Sequence, residues 1–186
     1  MIFRVKSSGP RPGSRSGPPR GGLGAAFLVA QVGAHAASRF AERLAALDLS
    51  PPHAGILRTL AGAPGISQQA LGAMLAILPS RLVILVDELD ERGLLERRDD
   101  PDDRRTYQLF VTENGRQSLE AIGRIARAHQ DALCAALSED ERQTLAGLLS
   151  RIADEQGLTP GVHPGFRQMG GPASRAGKKK EKKNEK

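Results

Sequence analysis

A chain of 186 residues, 39% hydrophobic and 3% aromatic, has room for one domain with a modest core. With no Trp and one Tyr, that core must be built from Leu, Ile, Val and Ala, which favours helices over a sandwich or barrel. A single cysteine, Cys134, excludes an intrachain disulfide framework and a multi-cysteine metal site, and it fits a reducing compartment.

No apolar run approaches the roughly 18 residues of a membrane span. Arg4 and Lys6 are followed by Ser, Gly, Pro and Arg rather than by the apolar run of a secretory signal. The expected location is cytoplasmic, with no membrane partner. The net charge of +6 is unevenly spread: residues 1–22 carry +5, residues 158–186 carry +6, and residues 23–157 carry −5. The basic character therefore belongs to the two ends, and charge alone is a poor argument that the middle binds nucleic acid. Both ends are dense in Gly, Pro, Ser and basic residues and lack apolar periodicity, so 1–22 and 158–186 are expected to be disordered basic tails. Such tails either attract phosphate without regard to sequence or simply stay solvated.

Between the tails the period is helical. Leu28, Val32, Ala36, Phe40, Leu44 and Leu47 recur every three or four residues along a long first helix. Ser50-Pro51 opens a second, with Ile56, Leu57 and Leu60 on its buried side and Gly62 and Pro64-Gly65 at its end. Ser67 caps a short third helix carrying Leu71, Met74 and Leu75. Pro79 opens a fourth, with Leu82, Leu85, Val86 and Leu89 at i, i+3, i+4 and i+7, and Gly93 stops it. Leu94–Arg98 and Thr106–Val111 then fit two strands around a polar loop at Asp99–Arg105. Thr112 caps a long fifth helix with Leu119, Ile122, Ala126, His129, Leu133 and Leu137. The capping box Ser138–Glu141 opens a sixth with Leu145, Leu148, Leu149 and Ile152.

This order predicts a mainly α fold with a small β-hairpin wing: a winged helix-turn-helix plus long N- and C-terminal helices. The DNA lobe spans about 50–112, within a domain of 23–157. The helices at about 23–48 and 113–155 carry more apolar surface than so small a lobe can cover, which suggests dimerisation. The second helix of a helix-turn-helix enters the major groove by its N-terminus, here Pro79-Ser80-Arg81. Ser80 can donate to a phosphate or base edge, Arg81 can be bidentate to guanine, and Ile84 can meet a thymine methyl. The acidic distal half (Asp87, Glu88, Asp90, Glu91) limits close approach to the first two turns. The hairpin supplies Arg97, Arg98, Arg104 and Arg105, which suit a narrow minor groove. Arg–Asp alternation in a loop also reads as a solvated turn; topology, not charge, favours DNA.

The segment LPSRLVILVDELDERGLLERRDDPDDRRTYQLFVTENGR closely resembles the recognition helix and wing of the multiple antibiotic resistance regulator (MarR) family. The family's Asp-Pro-x-Asp-Arg-Arg wing is matched by Asp100, Pro101, Asp103, Arg104 and Arg105. Its Leu-Thr-x-x-Gly helix start is matched by Val111, Thr112 and Gly115, with Val for Leu. LSPPHAGILRTLAGAPGISQQALGAML is similar to the family's second and third helices, and the likeness covers about 25–155. The resemblance implies a homodimer with intertwined first and last helices. It also implies a pseudo-palindromic operator in double-stranded DNA, repression, and release by a small, often aromatic, effector. By position it places Gln68, Gln69, Pro79, Ser80 and Arg81 toward DNA and Arg104 and Arg105 in the wing, with Asp103 shaping the wing. Ile84 departs from the polar or basic residue common there.

His35 and Arg39, one helical turn apart, and His53 at the start of the second helix lie where relatives place an effector. They are candidates for an anionic ligand or, more simply, partly exposed or interface polar residues. His129 reads as a core or interface histidine. Four scattered histidines lack zinc-ligand spacing, so no metal is expected. Cys134 sits late in the fifth helix among Ala and Leu, where cysteines are usually inert rather than redox sensors. No catalytic set and no phosphate-binding loop is present, so neither an enzyme nor a cofactor is expected. The alternative to a DNA-binding regulator is a winged-helix protein-interaction module with little DNA affinity, motivated by the acidic middle of the chain and the acidic end of the fourth helix.

Overall fold

The structure, a computed structural model, describes residues 23–101, 106–163 and 166. Six helices and a three-stranded antiparallel sheet follow in the order α1 (Ala25–Leu44), α2 (Pro51–Gly62), β1 (Ile66–Ser67), α3 (Gln68–Leu75), α4 (Pro79–Glu91), β2 (Leu95–Asp99), β3 (Tyr107–Val111), α5 (Glu113–Leu133) and α6 (Glu139–Glu155). A single 3₁₀ turn, Ala45–Leu47, extends α1 to Asp48, whose left-handed φ of 53° redirects the chain into α2.

The local signals act where the residues place them. Ser67 Oγ accepts from Ala70 N, Thr112 Oγ1 from Gly115 N, and Ser138 Oγ from Glu141 N, so each start satisfies a backbone donor that its helix leaves open. Glu141 closes the capping box by accepting from Ser138 N at 2.9 Å. Gly93, at φ 63°, ends α4. β2 sits one residue later than the pattern predicts, and β3 starts one residue later but ends at Val111 as expected. Leu94 is withdrawn from the ladder because its N–H bonds Leu89 O and its carbonyl accepts from Thr112 N.

Sequence reading missed β1. Two residues are too short to show a period, and the strand exists because Ile66 and Ser67 pair with Leu109 and Gln108 of β3, in the sheet order β1-β3-β2. The core draws Leu44 from the end of α1, Leu49 from the connection that follows, Ile56, Leu57 and Leu60 from α2, and Leu71 and Leu75 from α3. To these it adds Leu82, Leu85, Val86 and Leu89 from α4, Leu95 and Leu109 from the sheet, and Ile122 from α5. Met74, expected on the inner side of α3, is exposed. So are Phe27, Leu28, Val29 and Val32 on α1, and Leu145, Leu148, Leu149 and Ile152 on α6.

One departure from the expected tail concerns the segment after α6. Gly157 turns the chain at φ 64°, Val162 packs against the core, and Phe166 is buried within it at 5% exposure. The ring fits because residue 55 is glycine: a Cβ there would stand 2.9 Å from Phe166 Cε2. The Arg58 guanidinium, three residues farther along α2, donates to the Gly161 carbonyl. A small, featureless stretch of sequence thus becomes a clasp on α2. Its specificity lies in a ring-sized vacancy far away in sequence, which local pattern cannot reveal.

Candidate nucleic-acid interface

Helices α3 and α4 meet at a bend of 113°, within the range for a helix-turn-helix. The turn is Ala76, Ile77 and Leu78. Ala76 takes a left-handed φ of 52°, and Ile77 N bonds back to Gly72 O at 3.1 Å. Gly72 lets the helices close up, since a Cβ there would lie 3.1 Å from Leu82 Cδ2. Ile77 is buried under the turn.

The buried stripe of α4 fixes which side faces outward. Leu82, Leu85, Val86 and Leu89 point into the core, so Ser80, Val83, Ile84 and Asp87, spaced i, i+3, i+4 and i+7, share the other side. Pro79 and Ser80 are exposed, and Arg81 is half-buried with no carboxylate partner among the described residues. Gln69 is exposed and Gln68 half-buried in the first turn of α3.

The arginines of the wing divide. Arg97 reaches back from β2 and pairs with both Asp87 and Asp90 of α4, leaving it one-quarter exposed. It ties wing to recognition helix and engages two of the four carboxylates in that helix's distal half, offsetting one of their charges. Arg98 pairs with Glu96 and lies over the Phe110 ring, 4.3 Å from its centroid. Asp103, Arg104 and Arg105 lie outside the described residues. At the wing base, Thr112 Oγ1 donates to Gly93 O at 2.6 Å, so the end of α4, the hairpin and the start of α5 share one anchor.

His53 joins two helices of the lobe. Ser50 N donates to its Nδ1 at 3.1 Å, with Ser50 Oγ 3.0 Å away, and its Nε2 lies 2.9 Å from Glu88 Oε2 on α4. A backbone donor at Nδ1 means the neutral ring carries its proton on Nε2 and donates it to Glu88. Burial holds the His53 pKa below its ordinary 6.5 against the upward pull of Glu88, and the nearby Arg92 and Arg81 cations push the same way as burial. Arg92, which sequence reading overlooked, donates to the carbonyls of Asp48 (2.7 Å) and Leu47 (2.9 Å), clamping the end of α4 to the chain leaving α1.

The other two effector candidates are placed differently. His35 is exposed on α1, and Arg39 pairs with Glu42 at 2.7 Å. Both usable nitrogens of His53 are taken by Ser50 and Glu88, so the structure joins His53 to the recognition helix. His129 packs on Phe40, ring centroids 5.4 Å apart. Burial, Arg43 and His35 all lower its pKa from 6.5. Cys134 is half-buried at the end of α5. Among the described residues no group of His, Cys, Asp and Glu could hold a metal ion, and no single helix is long and apolar enough to cross a membrane.

A family model described as the MarR family matches residues 47–106, the stretch from the end of α1 through the helix-turn-helix into the wing. A protein of Thauera aromatica named for transcriptional regulation of the hcr operon is 38% identical over 112 residues, covering 60% of this chain and 68% of that one. Among solved structures, the transcriptional repressor CouR bound to a 23-mer DNA duplex is 30% identical with a TM-score of 0.62, covering 69% of this chain and 92% of its own. The Escherichia coli MarR structure in its apo form shares the fold at a TM-score of 0.63 and 24% identity, covering 70% and 96%. The chain belongs to the MarR family of transcriptional regulators.

Proposed function

We propose that this protein is a homodimeric repressor that binds a pseudo-palindromic operator in double-stranded DNA and is released by a small ligand, acting in the cytoplasm and without enzymatic activity. The observation that carries the DNA reading is the exposed first turns of α4, Pro79-Ser80-Arg81, held at 113° to α3 beside the wing. Gln68, Gln69, Ile84 and, in the wing, Arg104 and Arg105 complete the contact. Arg98 stands ready on the hairpin, while Arg97 supports the recognition helix from behind. The DNA lobe is about 50–112.

Dimerisation is supported by the apolar side chains left in water on α1 and α6. The helices at about 23–48 and 113–155 supply that interface. The effector site draws on His35 and Arg39, with His53 transmitting to α4 through Glu88. The rival reading, an interaction module with little DNA affinity, is weakened at α4, where Arg97 engages Asp87 and Asp90 and His53 engages Glu88.

The test is binding of the full chain to duplex DNA from its own upstream region, followed by fluorescence anisotropy across a salt series. Log affinity should fall steeply against log salt, by about 0.9 per phosphate contact. An affinity independent of salt refutes DNA binding. A monomer in analytical ultracentrifugation at micromolar concentration refutes the dimer.

A further inference from the structure

The outward face of α4 is unusual for a surface meant to read DNA. Ile84 is 58% exposed and Val83 43% exposed, both large and β-branched, and no core residue covers them. Their polar neighbours offer little base-reading chemistry. Asp87, one turn beyond, is held by Arg97. Ser80, one turn before, has a single hydroxyl. Ile84 stands five residues after Pro79, roughly 7.5 Å along the axis, and so within the first two turns that enter a groove about 12 Å wide. The apolar group displayed in that groove is the C5-methyl of thymine. A methyl against Ile84 removes apolar surface of both partners from water, whereas cytosine or a purine edge would strip water from polar atoms with nothing to replace it.

We propose that Ile84, flanked by Val83, reads thymine methyl groups in the major groove, so that thymine at the position facing Ile84 is a specificity determinant of each half-site. The inference rests on the DNA-binding reading above and names the base that its recognition helix selects. Arg81, on the neighbouring flank of the helix, reads a different position. Discrimination by Ile84 is by methyl burial rather than by hydrogen bonding, and is correspondingly modest and insensitive to salt.

The experiment begins by selecting bound duplexes from random DNA with the full-length protein. The best duplex is then resynthesised with deoxyuridine replacing each thymine in turn, which deletes one methyl and leaves base pairing intact. At one or two positions per half-site the uracil duplex should bind about fourfold more weakly, the size expected for burying one such group. Ile84→Ala should bind the thymine and uracil duplexes equally. Because Ile84 is exposed, that variant should fold like the parent, which a matching thermal midpoint checks. Arg81→Ala should keep the methyl discrimination while losing base preference elsewhere. Equal binding of every uracil duplex by the parent, or discrimination retained in Ile84→Ala, overturns the assignment. Failure to enrich any duplex is a different result: it overturns the DNA reading itself and the inference with it.

Discussion

Replacing Gly115 with alanine should be among the most damaging single-methyl changes in the fold. Gly115 lies in the first turn of α5, buried under the wing base, and donates its N–H to the capping Thr112 Oγ1 at 3.1 Å. A Cβ there would overlap the Leu94 carbonyl oxygen outright and lie 2.6 Å from Val111 Cγ1 and 3.0 Å from the Leu94 carbonyl carbon. None of these is the free end of a flexible side chain. Leu94 O accepts from Thr112 N, and Leu94 N bonds Leu89 O, so the obstacle is tied to both α4 and α5. Relief requires α5 to move off the hairpin by about an ångström, straining or breaking the Thr112 cap. Overpacking costs about 1–3 kcal/mol and loss of the cap about 1 kcal/mol more. The sum, roughly 2–4 kcal/mol, should lower Tm by about 5–15 °C for a domain of this size. Gly123, farther along α5, is the control: its Cβ would meet only Arg127 Nη1 at 3.6 Å. Gly123→Ala should therefore stabilise by about 0.5–1 kcal/mol through helix propensity. Differential scanning calorimetry of both variants measures the contrast. A Gly115→Ala protein melting within a degree of the parent would refute this packing of α5 on the wing base.

Other outcomes follow from the same geometry. Phe166→Ala, and truncation after Gly157, should each lower stability by about 1–3 kcal/mol by emptying the site beside Gly55, below the usual cost of a core Phe→Ala because the clasp can detach. Urea titration checks this, and an unchanged midpoint removes the clasp. Arg97→Ala should cost about 1–2 kcal/mol and weaken DNA binding by freeing Asp87 and Asp90 near phosphate. Adding Asp87→Asn and Asp90→Asn should restore binding if Arg97 supports the helix, and should not if Arg97 itself touches DNA. For His53, whose folded pKa lies below the ordinary 6.5, the unfolded chain binds more protons as pH falls through that value. Its contribution is therefore complete above pH 6.5 and is lost below it, toward the depressed folded pKa. The stability slope between pH 7 and 5 should be flatter in His53→Gln, and identical slopes would count against a buried neutral ring. Arg81→Ala should cost about 1–3 kcal/mol in operator binding and relax base preference at one position, as read by competition between selected and scrambled duplexes.

How much of this was legible beforehand follows the range of the interaction involved. The helix order, the caps at Ser67, Thr112 and Ser138, and the stop at Gly93 are governed by neighbours within four residues, so composition and period disclose them. The exposed stripes of α1 and α6 were legible as surplus apolar surface for the same reason. The course of α4 is legible because its buried stripe repeats at helical spacing, which leaves Ser80 and Ile84 on the outside. The partners of its acidic residues were not readable. His53 meets Glu88 across 35 residues of chain, and Arg97 turns from a wing cation into a brace only when β2 folds back along α4. The β1 pairing and the Phe166 clasp belong to the same class. Arg58 reaches Gly161 across 103 residues, and the ring finds room only where Gly55 lacks a Cβ. Local sequence determines which backbone groups are capped and which faces are apolar. Only the packed chain decides which charged or aromatic side chain fills a distant vacancy, because burial makes an unpaired charge or an empty ring-sized cavity costly and leaves few arrangements that avoid both.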